Sequence, residues 1–173
     1  MDMTGEERIA ASREAVWAAL NDVAVLKQCI PGCESLEKTS DTDMAAKVKL
    51  QVGPVRAAFT GKVKLSDLDP PNGYRISGEG QGGVAGYAKG GAVVRLVQDG
   101  AGTLLKYEAK ADVGGKLAQL GGRLIDSTAR KLAGEFFQKF SVIVGSPAGA
   151  SPSAAPARKE RWFRRLWRRL FGG

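Results

Sequence analysis

A chain of 173 residues with 43% apolar side chains and a formal net charge of +8 has room for one domain with a real core plus an appendage. It contains no histidine, which excludes Ser-His-Asp and Cys-His nucleophile systems and the HExxH zinc signature. Two cysteines are too few for a disulfide scaffold, and no run of about 18 apolar residues offers a membrane span.

The first ten residues, MDMTGEERIA, lack the basic and apolar regions of a secretory signal, so a cytosolic protein is expected. Residues 3–11 read as a short strand. Ser12 is a suitable N-cap for a first helix with Glu14 in its opening turn, and Val16, Trp17 and Leu20 form its buried side. Asn21-Asp22 interrupts that helix, and Val23 to Ile30 forms a second one that ends at Pro31-Gly32.

From Cys33 to Asp112 the hydrophobic period becomes two. Met44, Ala46, Val48 and Leu50 share one face, and so do Val55, Ala57, Phe59, Gly61, Val63 and Leu65. Asp69-Pro70-Pro71-Asn72-Gly73 is a turn, because proline presets φ and Asn-Gly accepts left-handed geometry. Tyr74, Ile76 and Gly78 continue the inner face of the next strand. Ala88 to Gln98 and Thr103 to Val113 form a hairpin across Asp99-Gly100-Ala101-Gly102. One apolar face and short connections describe an antiparallel meander covered on one side.

The cover is residues 113–144, which read as one helix of about 45 Å at ~1.5 Å per residue. Leu117, Leu120, Leu124, Ile125, Ala129, Leu132, Phe136, Phe140 and Ile143 recur at helical spacing. The stripe rotates by about a quarter turn at Gly121, where Gly121-Gly122 allows a bend. The expected fold class is therefore α+β, a curved antiparallel sheet gripping a long C-terminal helix. Residues 146–157 are small residues and prolines, the composition of a flexible linker.

The last sixteen residues carry seven basic side chains against one acidic. Trp162, Phe163, Leu166, Trp167, Leu170 and Phe171 follow i, i+1, i+4, i+5 spacing, and Arg161, Arg164, Arg165, Arg168 and Arg169 fill the gaps. As a helix of ~21 Å this tail is too short to span a bilayer but suits the interface, tryptophans at headgroup level and arginines on anionic phosphates. A nucleic-acid arm would gain little from six bulky apolar residues, so no nucleic-acid partner is expected; a protein groove is the competing occupant.

Three other features could carry chemistry. Gly78 to Gly83 matches GxGxxG, but it lies among strands with no helix behind it, so the dinucleotide reading fails. Ten glycines from Gly73 to Gly102 either bend the strands or leave the inner face unfilled at Gly78, Gly80, Ala88, Gly90 and Ala92. An unfilled concave face under a helix is a cavity for an apolar small molecule. Cys29 to Cys33 has CxxxC spacing, not the redox CxxC, and reads as a turn. Acidic residues are scattered singly, with no acid/base pair, and no metal site is expected.

The element order resembles the helix-grip fold of the START-like and polyketide-cyclase-like superfamily (SRPBCC). Thr4-Gly5-Glu6, Arg13-Glu14-Ala15-Val16-Trp17, Leu20-Asn21-Asp22 and Cys29-Ile30-Pro31-Gly32-Cys33-Glu34 resemble the N-terminal signature of the carbon monoxide dehydrogenase G-subunit family. Gly53-Pro54-Val55, Phe59-Thr60-Gly61 and the Gly78–Gly91 run are similar to its central part. The resemblance covers residues 1–145. It implies a non-catalytic accessory protein that attaches a molybdenum-containing carbon monoxide dehydrogenase, or a related molybdenum hydroxylase, to the cytoplasmic membrane. It also implies a bound menaquinone or ubiquinone.

The combined expectation is a ligand domain (1–145), a linker (146–157) and a membrane-binding tail (158–173), peripheral on the cytoplasmic face and bound to anionic lipid. Phe59, Tyr107, Leu117, Leu120, Leu124 and Phe136 combine inward position with bulk and are the expected cavity wall; Gly121 and Gly122 are the expected gate. The alternatives are a lipid-transfer or scaffold protein for another partner, and a cyclase- or hydrolase-like enzyme using Tyr74, Tyr87, Tyr107, Glu6 or Glu7.

Overall fold

The computed structural model describes residues 1–145; the expected linker and tail lie outside the described residues. Strand β1 (Asp2–Ile9) leads into helices α1 (Arg13–Leu20) and α2 (Val23–Cys29). Ser12 caps α1, its hydroxyl accepting from the Ala15 N–H at 3.1 Å. The Asn21 amide donates to the Trp17 carbonyl at 2.9 Å, closing α1. The Asp22 carboxylate then accepts from the Ala24 N–H at 2.9 Å, opening α2. A stop and a new cap on adjacent residues make two short helices from a stretch that could have been one.

Strands β2 (Cys33–Lys38), β3 (Asp43–Val52), β4 (Val55–Asp69), β5 (Gly73–Gln81), β6 (Tyr87–Asp99) and β7 (Gly102–Gly114) follow, with a single 3-10 turn, Gly83–Ala85, between β5 and β6. They form one antiparallel sheet in the order β1-β7-β6-β5-β4-β3-β2. The first two strands are thus the two edges. Helices α1 and α2 carry the chain from one edge to the other, and the meander returns beneath them.

Register lines up the inner face in rows. Tyr74, Val94, Tyr107 and Gly5 are successive partners across β5, β6, β7 and β1. Leu65, Ile76, Ala92 and Ala109 form the next row, and Ala46, Gly61, Gly80, Ala88 and Val113 a third. The rows become smaller toward the end of the sheet that carries the β3–β4 turn.

The long helix is shorter than the sequence pattern predicts. Period-two pairing persists through Val113 and Gly114, which oppose Ala88 and Tyr87, so residues 113–115 belong to the sheet and its exit. A one-turn helix α3 (Lys116–Gln119) follows, and α4 runs from Gly122 to Val144. Between them Gly121 has φ 91° and ψ 151°, a region only glycine occupies cheaply. The predicted rotation of the apolar stripe is a physical break in the helix.

Helix α4 has 23 residues and is about 35 Å long at the usual rise. It crosses the concave face from the β3–β4 turn, where Leu124 lies against Gly53, to Gly145 beside Ala10. Its C-terminal half is anchored in solid core. Phe140 is wholly buried, as are Ile9, Val16 and Cys29, and Leu105 is almost so. Phe136 and Phe140 stack at 5.7 Å, Phe136 meets Phe137 edge-on at 5.1 Å, and Phe137 stacks on Tyr107 at 5.5 Å. Such pairs add about 0.5–1.5 kcal/mol each beyond area burial. Thr103, also fully buried, donates its hydroxyl to the Ala11 carbonyl at 2.8 Å.

Two predictions follow from this core. Phe140→Ala should cost about 3–5 kcal/mol in urea denaturation, whereas Val142→Ala, on the exposed side of the same helix, should stay within about 0.5 kcal/mol; equal costs would mean that the aromatic cluster does not anchor α4. Tyr74 is buried edge-on against Trp17 at 5.2 Å, and desolvation raises its phenol pKa. Above pH ~10, where an unfolded tyrosine ionises, the unfolded chain sheds a proton that the native chain keeps, so stability falls as pH rises. Tyr74→Phe removes that loss: relative to the unsubstituted protein, the variant should gain stability between about pH 8 and pH 11. A difference that is flat across this window would contradict the buried phenol.

Candidate functional site

The third inner row, Ala46-Gly61-Gly80-Ala88-Val113, offers little bulk to the N-terminal half of α4. A cleft of about 410 Å³ results. Val48, Leu50, Val52, Phe59 and Ala111 complete its sheet wall. The helical wall is one face of α4, Ile125, Thr128, Ala129 and Leu132, with Leu117 from α3; Ile30, Pro31 and Met1 close the sides. Thr128 carries the single polar side chain of this lining.

The row's glycines differ in what they require. A Cβ on Gly61 would come within 2.8 Å of the Glu79 carbonyl oxygen, so strand approach demands glycine there. A Cβ on Gly80 would meet nothing closer than Phe59 Cβ at 3.8 Å, so a side chain fits and its absence is space.

The loop of residues 82–86 packs behind the cleft wall, against β4 and α3. Gly82 lies against the Phe59 ring, and Gly86 against the backbone of Gly114 and Gly115, too close for any side chain.

The residues expected to form the cavity wall separate into two groups. Phe59 and Leu117 line the cleft. Tyr107 and Phe136 do not: both pack into the aromatic core around Phe137, and Tyr107 fills the space above Gly5. Leu124 covers Gly53, and Leu120 is half-buried at the α3–α4 joint. Selection by bulk points to solid core, because a hollow is bounded by small residues. Ala88 is among the small inner residues to which the sequence points; Ala46 and Ala111 join it through pairing with Gly61 and Gly90, and Ala129 faces them from α4. At the expected gate, no atom lies within 4 Å of a Cβ on Gly121 or Gly122. Close packing is absent there, and the positive φ of Gly121 alone demands glycine.

The alternative catalytic residues lie elsewhere. Tyr74 is in the core, Tyr87 is exposed, and Glu6 is an exposed partner of Lys106 at 3.9 Å. Glu7 is half-buried on the inner edge strand; burial, then the Glu7 charge, raises the Tyr107 pKa. None of them lines the cleft. Cys29 and Cys33 are free thiols, and burial pushes both pKa values up, away from thiolate reactivity. Among the described residues there is no grouping of three His, Cys, Asp or Glu that could hold a metal ion, and no helix is long and apolar enough to cross a membrane.

A broader depression of about 850 Å³ lies on the outer face among Lys62, Lys64, Glu79, Lys89 and Asp112. Lys62, Glu79, Lys89 and Asp112 are successive cross-strand partners, an alternating-charge ladder of a kind that favours this register. That accounts for the charge there as sheet stabilisation, and the apolar cleft remains the candidate site.

Known structures agree with this architecture. The chain is similar to a conserved protein from Geobacillus kaustophilus, at 29% identity and TM-score 0.79, over 83% of this chain and 95% of that one. It shares its fold with a START superfamily protein from Mycobacterium smegmatis (15% identity, TM-score 0.64, 83% and 96% covered). It also does so with the Zhui aromatase/cyclase from Streptomyces sp. R1128 (13% identity, TM-score 0.58, 83% and 93% covered). The fold is thus the START-like helix grip. A search of curated protein sequences finds no match. The family profile of the carbon monoxide dehydrogenase G-subunit, CoxG, matches residues 5–145, nearly the whole described domain, and the chain belongs to that family.

Proposed function

We propose that this protein is a non-catalytic accessory of a molybdenum-containing carbon monoxide dehydrogenase and that it holds an apolar ligand, a respiratory quinone, between sheet and helix. The observation that carries the reading is the cleft: about 410 Å³, within the range of small-molecule sites, and lined by apolar side chains except Thr128. No titratable side chain lines it, which favours carriage over catalysis by a side-chain acid or base.

The cleft presents only apolar atoms, Thr128 lining it through carbon rather than its hydroxyl, which fits the hydrocarbon of a menaquinone or ubiquinone. At ~30 Å³ per water-sized unit the cleft takes on the order of a dozen such units, fewer than a long-tailed quinone has. Part of such a ligand would extend through the mouth. Bound, the quinone would supply two-electron acceptor chemistry; the chain's own residues enclose it and exclude water. The family name supports the enzyme partner, and the basic, tryptophan-bearing sequence of residues 158–173 supports attachment to the cytoplasmic leaflet.

Native mass spectrometry with organic extraction of the purified protein should reveal a bound isoprenoid quinone, and loading with menaquinone-4 should saturate at one per chain. Ala129→Trp fills the centre of the cleft and should lower menaquinone-4 affinity by about tenfold or more while the urea midpoint moves little. Full affinity in that variant would place the ligand elsewhere. Deleting residues 158–173 should abolish flotation with phosphatidylglycerol vesicles; unchanged flotation would remove the tail as anchor.

A further inference from the structure

The two edges of the sheet are finished differently. β2 is short, and its register on β3 slips between Cys33 and Ser35, both of which spoil an edge for further pairing. β1 is the longer edge, keeps an unbroken register on β7 from Asp2 to Ile9 and contains no proline. Among the described residues, no strand lies on its other side. The hydrogen-bond parity of β1 follows from Met1, which donates to the Ala111 carbonyl at 3.0 Å and accepts from the Ala111 N–H at 2.9 Å. Reciprocal bonds of this kind recur at every second residue of an antiparallel pair, so the odd positions of β1 bond to β7. Asp2, Thr4, Glu6 and Arg8 therefore turn their N–H and C=O groups outward, and all of them are exposed.

We infer that β1 pairs antiparallel with β1 of a second copy of this chain, in the register that sets Asp2 opposite Arg8 and Gly5 opposite itself. A two-fold axis between antiparallel strands stands perpendicular to the sheet, and opposed residues share a face, so only positions of equal parity can meet. The neighbouring registers fail on charge. An axis at Thr4 sets Asp2 against Glu6, and an axis at Glu6 sets that carboxylate against its own copy; like charges directly opposite are destabilising. With the axis at Gly5, Asp2 meets Arg8 on both sides of the centre, Thr4 meets Glu6, and Met3 meets Glu7 on the inner face. The outward groups of the even positions are then bonded reciprocally. Lys110 is the β7 partner of Asp2, so the row runs Lys110, Asp2, then Arg8 of the second copy, and the alternation of charge on the outer face continues across the junction. Arg8 holds Asp99 through one nitrogen at 2.8 Å with its side chain 74% exposed, and a guanidinium keeps further donors for Asp2. The perpendicular axis puts both α4 helices on one side of a continuous sheet. Nothing in this surface depends on the proposed ligand.

The test mixes full-length chains. Asp2→Arg leaves arginine opposite Arg8, and Arg8→Asp leaves aspartate opposite Asp2, so each variant alone should dimerise about tenfold or more weakly than the unsubstituted protein in sedimentation equilibrium. An equimolar mixture of the two variants regains both opposite-charge pairs. Native mass spectrometry, which separates the variants by mass, should then find the mixed dimer in about tenfold or greater excess over either homodimer. Thr4→Pro removes an outward N–H and no bond to β7, and should weaken dimerisation about tenfold or more with little change in the urea midpoint. An unsubstituted chain that stays monomeric up to millimolar concentration overturns the inference. So does a statistical mixture of the two charge variants, or dimerisation that survives Thr4→Pro, the results expected if another surface drives association. The mixing experiment decides the register whether or not Thr4→Pro folds.

Discussion

The structure depends on how one helix is held against one face of one sheet. A seven-stranded antiparallel sheet with a charged outer face has a single apolar side to cover, and α4 is its principal cover. Phe136, Phe137 and Phe140 fix the C-terminal half of that helix by filling the space above Tyr107, Leu105 and Ile9. Once that end is fixed, the separation of helix and sheet is set along the whole length. Packing is then complete where the sheet presents tyrosine and leucine and incomplete where it presents glycine and alanine. The cleft is the second half of the same construction, held open by aromatic packing at the far end.

Stability and ligand capacity are accordingly separated in space. The wholly buried side chains, Ile9, Val16, Cys29, Thr103 and Phe140 among them, gather where α1, α2 and the end of α4 meet β1 and β7. The residues around the cleft are mostly half-buried, as expected for a wall that contributes contacts only when something occupies it. A domain arranged this way can carry a hollow of several hundred Å³ without forfeiting its fold. The same division explains why a charged ladder crosses the outer face: that face has no packing to offer, so cross-strand charge pairs take over its register.

Much of the fold was legible in the sequence, and the reasons are local. Ser12, Asn21 and Asp22 announce the ends of two helices through their capping chemistry, and period-two alternation announces the strands of the meander from β3 on. The sequence pattern overextends the long helix because Leu117 and Leu120 before the break and Leu124 after it keep helical spacing, while the break is a single backbone conformation at Gly121, and apolar periodicity is blind to φ. For the site, glycine and alanine point to the side of the sheet where the cleft lies, whereas Tyr107 and Phe136 stand out by size, and size belongs to the filled half. Which row an inner residue occupies depends on register between distant strands, such as Gly61 opposite Gly80, and a single strand's pattern does not contain it.

The placement of α4 also decides where strain from an oversized occupant would go. Phe136, Phe137 and Phe140 hold one end of this ~35 Å rod, and the other end begins at the Gly121 break. A molecule too large for the cleft would lift the end at Gly121, with the aromatic cluster as its fulcrum, and would leave Ile9 and Leu105 covered.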